Sequence, residues 1–175
     1  MLHHTNLNFT EELQERAAGS TKYIILTHSE VTTPHTINDV HKWHQNKKWA
    51  GIGYHYFIDK KGEIFTGRPR NTVGAHSYGF NQQSVALCFE GDFSKEQINQ
   101  KQFEGAVMLV ALLELTYPEA KLSKQSELVK EKNGPGENFP FDSLSAKVEE
   151  CKKMLVAFFG NGGADFDYGQ LLDMI

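Results

Sequence analysis

Histidine is the side chain in this sequence best placed to bind a metal or move a proton near neutral pH, and there are eight of them. His28 stands at the end of a continuous β-branched and aromatic run, residues 22–28, that reads as a buried strand. His41 and His44 lie three apart on one helix, a spacing that can hold a metal. That stretch also puts Ile37, Val40, Trp43 and His44 on one face, which makes packing the competing reading. His55 falls in a strand and His76 in a loop, each able to brace the fold or to touch a ligand. His3 and His4 lie near the start of the chain and receive no role. Arg68, just before Pro69, could hold a carboxylate or a sugar hydroxyl, or simply pair with a neighbouring acid. Trp43 and Trp49 read as core and groove wall rather than as a stacking platform. Cys88 and Cys151 each fall inside an apolar element, which excludes a disulfide framework.

The elements that must position these groups follow from periodicity and punctuation. A short helix is expected over 10–16, then the strand 22–28. A helix capped by Thr36, with Asp39 at its third position, runs to about Gln45. Residues 53–58 and 63–66 form a hairpin around Asp59, Lys60, Lys61 and Gly62, with Gly62 supplying a positive φ. Residues 84–90 make a strand near the middle of the sheet. Ser94 and Gln97 spell a capping box for a buried helix that Pro118 ends, and Asp142 caps a last helix that Gly160, Asn161, Gly162 and Gly163 terminate. These elements predict an α/β domain with a central mixed β-sheet flanked by helices on both sides. The chain divides into an arm with a short helix over 1–20, the main domain over 21–160 and a tail over 161–175.

Composition narrows the function. At 175 residues, 39% hydrophobic and 23% charged, the chain fits one ordinary globular domain. A net charge of −4 without a basic cluster argues against nucleic acid. The longest apolar stretch, residues 106–113, is far below the roughly 20 residues that cross a bilayer. The first ten residues lack the basic end and apolar run of an export signal. The expectation is therefore a cytoplasmic protein in the producing cell, with later release left open.

Several words recur in one order: Leu26-Thr27-His28-Ser29, Gly53-Tyr54-His55-Tyr56, Lys61-Gly62-Glu63-Ile64, Gly67-Arg68-Pro69, Gly74-Ala75-His76, Asn81, Phe89-Glu90-Gly91-Asp92 and Pro135-Gly136. In that succession, over roughly residues 22–158, the chain resembles the zinc-dependent N-acetylmuramoyl-L-alanine amidase and peptidoglycan-recognition family, which includes amidase-type phage lysozymes. The resemblance implies a peptidoglycan-binding groove with a zinc at one end. The metal polarises the amide between N-acetylmuramic acid and L-alanine and activates a water to attack it.

Three protein ligands are implied, and His28 matches the first. Gln125 stands where the second, a histidine, belongs, and Gly134 where a Cys or Asp should precede Pro135. Residues 118–140 contain no His, Cys or Asp, leaving only Glu119, Glu127, Glu131 and Glu137 as anions. An amide oxygen is a weak zinc ligand, so the implied zinc is expected to be absent or weakly held. The resemblance further implies Tyr54 and Lys132 as the catalytic helpers of an active enzyme. It gives His28, Tyr54, His55, Arg68, His76, Asn81 and Gln125 as the groove. The expected function is binding of a muropeptide, or a related small polar ligand, without hydrolysis. An active amidase with zinc rebuilt on His28, His76 and a glutamate is one alternative. A protein-binding member of the same fold, with an altered groove, is the other.

Overall fold

The apolar runs at 22–28 and 84–90 become adjacent parallel strands inside a six-stranded sheet. The computed structural model describes residues 1–160 and 166–174. Its strands are β1 (Leu2–His3), β2 (Tyr23–His28), β3 (Tyr56–Ile58), β4 (Ile64–Thr66), β5 (Ser84–Phe89) and β6 (Lys121–Lys124), in the spatial order β1-β4-β3-β5-β2-β6. Only β3 and β4 pair antiparallel, around the expected turn in which Gly62 has φ 80°. The sheet is therefore mixed.

Strand alternation assigns its two faces. Val85, Leu87 and Phe89 of β5, with Tyr56 and Ile58 of β3, join the main core beneath α2 (Gln100–Thr116), α4 (Phe141–Phe159) and α5 (Tyr168–Met174). Cys88 and Phe57 point the other way, to a smaller core with Ile37 and Val40 of α1 (Ile37–Asn46). Helices thus cover both faces, as the sequence predicts. Thr36 and Asp39 close the predicted capping box on α1.

Three local expectations are corrected. Residues 10–16 form no helix, because their backbone groups are engaged elsewhere: Thr10 donates to Ala50 O, Arg16 to Asn71 O, and Gln14 O accepts from Val73. Glu15 bridges Thr72, and the buried Arg16 guanidinium reaches Ser84 O and Arg70 O. Ser94 does not cap α2. It belongs to a separate turn in which Asp92 accepts its N–H at 3.1 Å, and Asn99 caps the helix through Gln102 N–H at 3.0 Å. Asp142 lies inside the first turn of α4, after Pro140, where its charge suits the helix dipole without a capping bond.

Two strands went unread because they are short or polar: β1, at the sheet edge beside β4, and β6, parallel to β2. At the C-terminal end, Gly160 caps α4, and Asn161, Gly162 and Gly163 lie outside the described residues. Part of the expected tail is α5, which packs on α2, buries Leu172 completely and sends Asp173 to Arg70 at 2.7 Å. Leu172→Ala should therefore lower stability by about 2–4 kcal/mol in urea unfolding, as a core leucine does and a tail residue does not.

Candidate functional site

The parallel trio β5-β2-β6 brings the C-terminal ends of three strands to one edge, where α1, α3 (Gln125–Leu128) and the loops after β2 and α3 enclose a cleft. Thr27, His28, Glu30, Trp43, His44, Lys47, Trp49, Tyr54, His76, Gln125 and Lys132 line it. A larger cavity of about 600 Å³ lies elsewhere, around Tyr56, Arg70, Asn71, Tyr117 and Asp173. The cleft is the candidate site because it gathers His28, His44 and His76 with Tyr54, Trp43 and Trp49, whereas Arg70 in the larger cavity is tied to Asp173.

His28 is buried at the cleft floor with both nitrogens engaged. Its Nδ1 accepts the Phe93 N–H at 3.0 Å. In the neutral ring the proton then sits on Nε2 and is donated to Asn133 Oδ1, 3.2 Å away. Asp92 lies 3.8 Å from Nδ1, and its hydrogen bond with Lys95 holds the carboxylate below its ordinary range.

Gln125 is the hub of a second network. Thr27 Oγ1 donates to its Oε1 at 2.7 Å, and its Nε2 donates to His76 O at 2.8 Å and to Ser77 Oγ at 3.2 Å. The Ser77 hydroxyl is 3.0 Å from His76 Nδ1, while His76 Nε2 is buried without a partner. Gly134 seals this cluster. A Cβ there would collide with Thr27 Oγ1 and stand only 2.7 Å from Gln125 Oε1.

The remaining predicted residues divide. Tyr54 lines the cleft with its ring, 5.5 Å from His44 and 6.3 Å from His76. Its hydroxyl meets the Cys88 thiol, and burial raises the pKa of both groups well above their ordinary values. Lys132 is at the cleft rim. Asn81 stands behind the site, where its Oδ1 accepts the N–H groups of both His76 and Ser77 at 2.9 Å.

His55 and Arg68 do not line this cleft and border the larger cavity instead. His55 is fully buried between Ala86 N–H, which donates to Nδ1, and Thr72 O, which accepts from Nε2. Arg68 donates Nε to Ile52 O and Nη1 to Val73 O, each at 2.8 Å. Both serve backbone groups that no ladder satisfies. His41 and His44 do the same: their Nδ1 atoms accept from Ile52 and Gly53 N–H, so they are braces rather than a metal clasp. Sequence reading missed Thr27, Ser77 and Asn133. Only the nearness of Thr27 to His28 and of Asn133 to Gly134 could have suggested two of them.

The family model for N-acetylmuramoyl-L-alanine amidase matches residues 1–137. The chain belongs to this amidase family. The amidase endolysin LysCS of Clostridium intestinale is 28% identical, with TM-score 0.77 over 85% of this chain and 95% of its own. The endolysin of Klebsiella phage KP32 is 26% identical over 97 residues, 55% of this chain and 64% of that protein. Peptidoglycan-recognition protein LB of Drosophila melanogaster is 32% identical over 106 residues, 55% of this chain and 46% of that protein. The match thus spans under two thirds of these two relatives' length.

Amidases of this family are generally zinc-dependent, and the residues here do not fit that metal. The His28 nitrogens are both committed, the Gln125 oxygen is taken by Thr27, and Gly134 has neither a side chain nor room for one. Among the described residues no three His, Cys, Asp or Glu side chains are grouped to hold an ion, so the alternative of His28, His76 and a glutamate does not assemble.

Gly134→Ala should cost about 1–3 kcal/mol in urea unfolding through overpacking against Thr27 and Gln125. Acid should also destabilise the fold. Burial depresses His44 to about 4 and His55 to about 3. Their folded pKa values lie below the unfolded one, so this stability is fully present above about pH 6.5. It is lost as pH falls, at about 1.4 kcal/mol per unit for each histidine. Urea midpoints between pH 7 and 4 measure the slope, and His55→Gln should make it shallower.

Proposed function

We propose that this amidase-family domain binds a muropeptide, the N-acetylmuramoyl-L-alanine end of peptidoglycan, in the cleft beside α1 and does not hydrolyse it through zinc. The observation that carries this reading is the cluster of Thr27, Gln125 and Gly134. The position that would complete a metal site is filled by a satisfied hydrogen-bond network, while the cleft above it stays open.

The chemistry of the remaining groups fits binding better than bond cleavage. A cleft walled by Trp43, Trp49 and the Tyr54 ring offers flat apolar faces for a sugar or a peptide. Lys47, Lys132 and Glu30 add polar contacts at its rim. Cleavage needs a group that polarises the amide carbonyl and a base that activates water. The Tyr54 hydroxyl is turned toward Cys88, and the His28 ring is held between the Phe93 N–H and Asn133 Oδ1. The names of the relatives, an amidase endolysin and a peptidoglycan-recognition protein, support the same ligand class.

Isothermal titration with N-acetylmuramoyl-L-alanyl-D-isoglutamine should give a saturable isotherm, weakened at least about tenfold by Trp49→Ala. Metal analysis of the purified protein should find zinc well below one equivalent, and incubation with peptidoglycan should release no peptide. Stoichiometric zinc, or peptide release that a chelator abolishes, would restore the active-amidase reading.

A further inference from the structure

Lys47 and Lys132 reach the cleft from different elements, Lys47 from the C-cap of α1 and Lys132 from the loop between α3 and Gly134. They are the two lysines on the cleft lining, whereas three others in the chain are held by acids. Lys95 holds Asp92 at 2.7 Å, Lys124 holds Glu127 at 3.3 Å and Lys60 holds Glu96 at 2.8 Å. Among the described residues neither Lys47 nor Lys132 has a carboxylate within 4.0 Å. The Lys47 ammonium instead rests 5.8 Å from the centre of the Trp49 ring.

His44 lines the same cleft, buried and kept neutral chiefly by desolvation, with the charges of Lys47 and, more weakly, Lys132 adding to the effect. The two cations therefore share one small region of the cleft that already resists a third positive charge. Glu30 is the one acid on the lining, exposed and held at φ 62° in the loop after β2. Two unpaired ammonium groups over a partly enclosed polar floor are a site for an anion, and the field between them is stronger there than on open surface.

We propose that Lys47 and Lys132 form a two-point clamp that selects muropeptides carrying free stem-peptide carboxylates over the same peptides with those carboxyls amidated. The clamp rests on the muropeptide-binding reading and adds to it the charge of the preferred ligand. It gives Lys132, in a cleft without a metal, a binding task in place of the catalytic one the resemblance implies.

The experiment compares two ligands by titration calorimetry in low salt: N-acetylmuramoyl-L-alanyl-D-glutamate with both carboxyls free, and its diamide. The diacid should bind about tenfold more tightly, and raising the salt should shrink that preference. Lys47→Ala and Lys132→Ala should each weaken the diacid about three- to fivefold and leave the diamide nearly unchanged. The double variant should bind both ligands alike. Both lysines are exposed, so unchanged urea midpoints will show that the variants fold. Equal binding of diacid and diamide by the unsubstituted protein, or a preference that survives in the double variant, overturns the clamp and leaves muropeptide binding standing. Binding of neither ligand overturns both.

Discussion

β2 lies between β5 and β6 with all three strands parallel, and the site depends on that pairing. The registers that set Leu26 beside Leu87 and Lys124 bring His28, residues 90–93 and Gln125 out at the same edge. Parallel strands need long crossover connections, and those connections become α1, α2 and the loops that wall the cleft. The completely buried Ile24, Leu26, Val85, Leu87 and Phe89 hold the trio together from below. The position of every polar group at the edge is thus set by apolar packing some residues away.

At that edge hydrogen bonds engage Gln125 and His28, two of the positions where the family resemblance implies zinc ligands. A zinc site draws its three ligands together through the metal. Here Gln125 draws together β2 through Thr27 and the 74–77 loop through His76 O and Ser77, and Gly134 lets the following segment lie against them. Each buried group left without its partner would cost on the order of 1–3 kcal/mol, so the cluster favours completeness. The unpartnered Nε2 of His76 is the one gap in this arrangement.

The histidines show how one residue type can be turned from chemistry to architecture. The Nδ1 atoms of His28, His41, His44 and His55 accept the backbone N–H groups of Phe93, Ile52, Gly53 and Ala86. Phe93, Ile52 and Gly53 lie outside the strands, and Ala86 lies within β5 just before its pairing with β3 begins, so a side chain takes the ladder's place. A neutral imidazole serves them well, and burial keeps His44 and His55 neutral. The same burial makes the fold sensitive to acid.

The sequence made legible the family, the two-sided α/β architecture and the departure of Gln125 and Gly134 from the ligands the resemblance implies, because apolar periodicity, turn glycines and residue identity are local properties. It also fixed the capping of α1, where donor and acceptor lie three residues apart. It could not determine which way His55 and Arg68 face, since a buried polar residue in a strand looks the same whether it serves a ligand or a distant carbonyl. Nor could it reveal β1, β6 or α5, which are short and are held by neighbours far along the chain. The space around Gly134, the hydrogen-bond partners of Gln125 and the shared place of Lys47 and Lys132 on one cleft lining arise only in the folded chain. They join residues roughly 50 to 100 positions apart, and such contacts exist only after the sheet has paired.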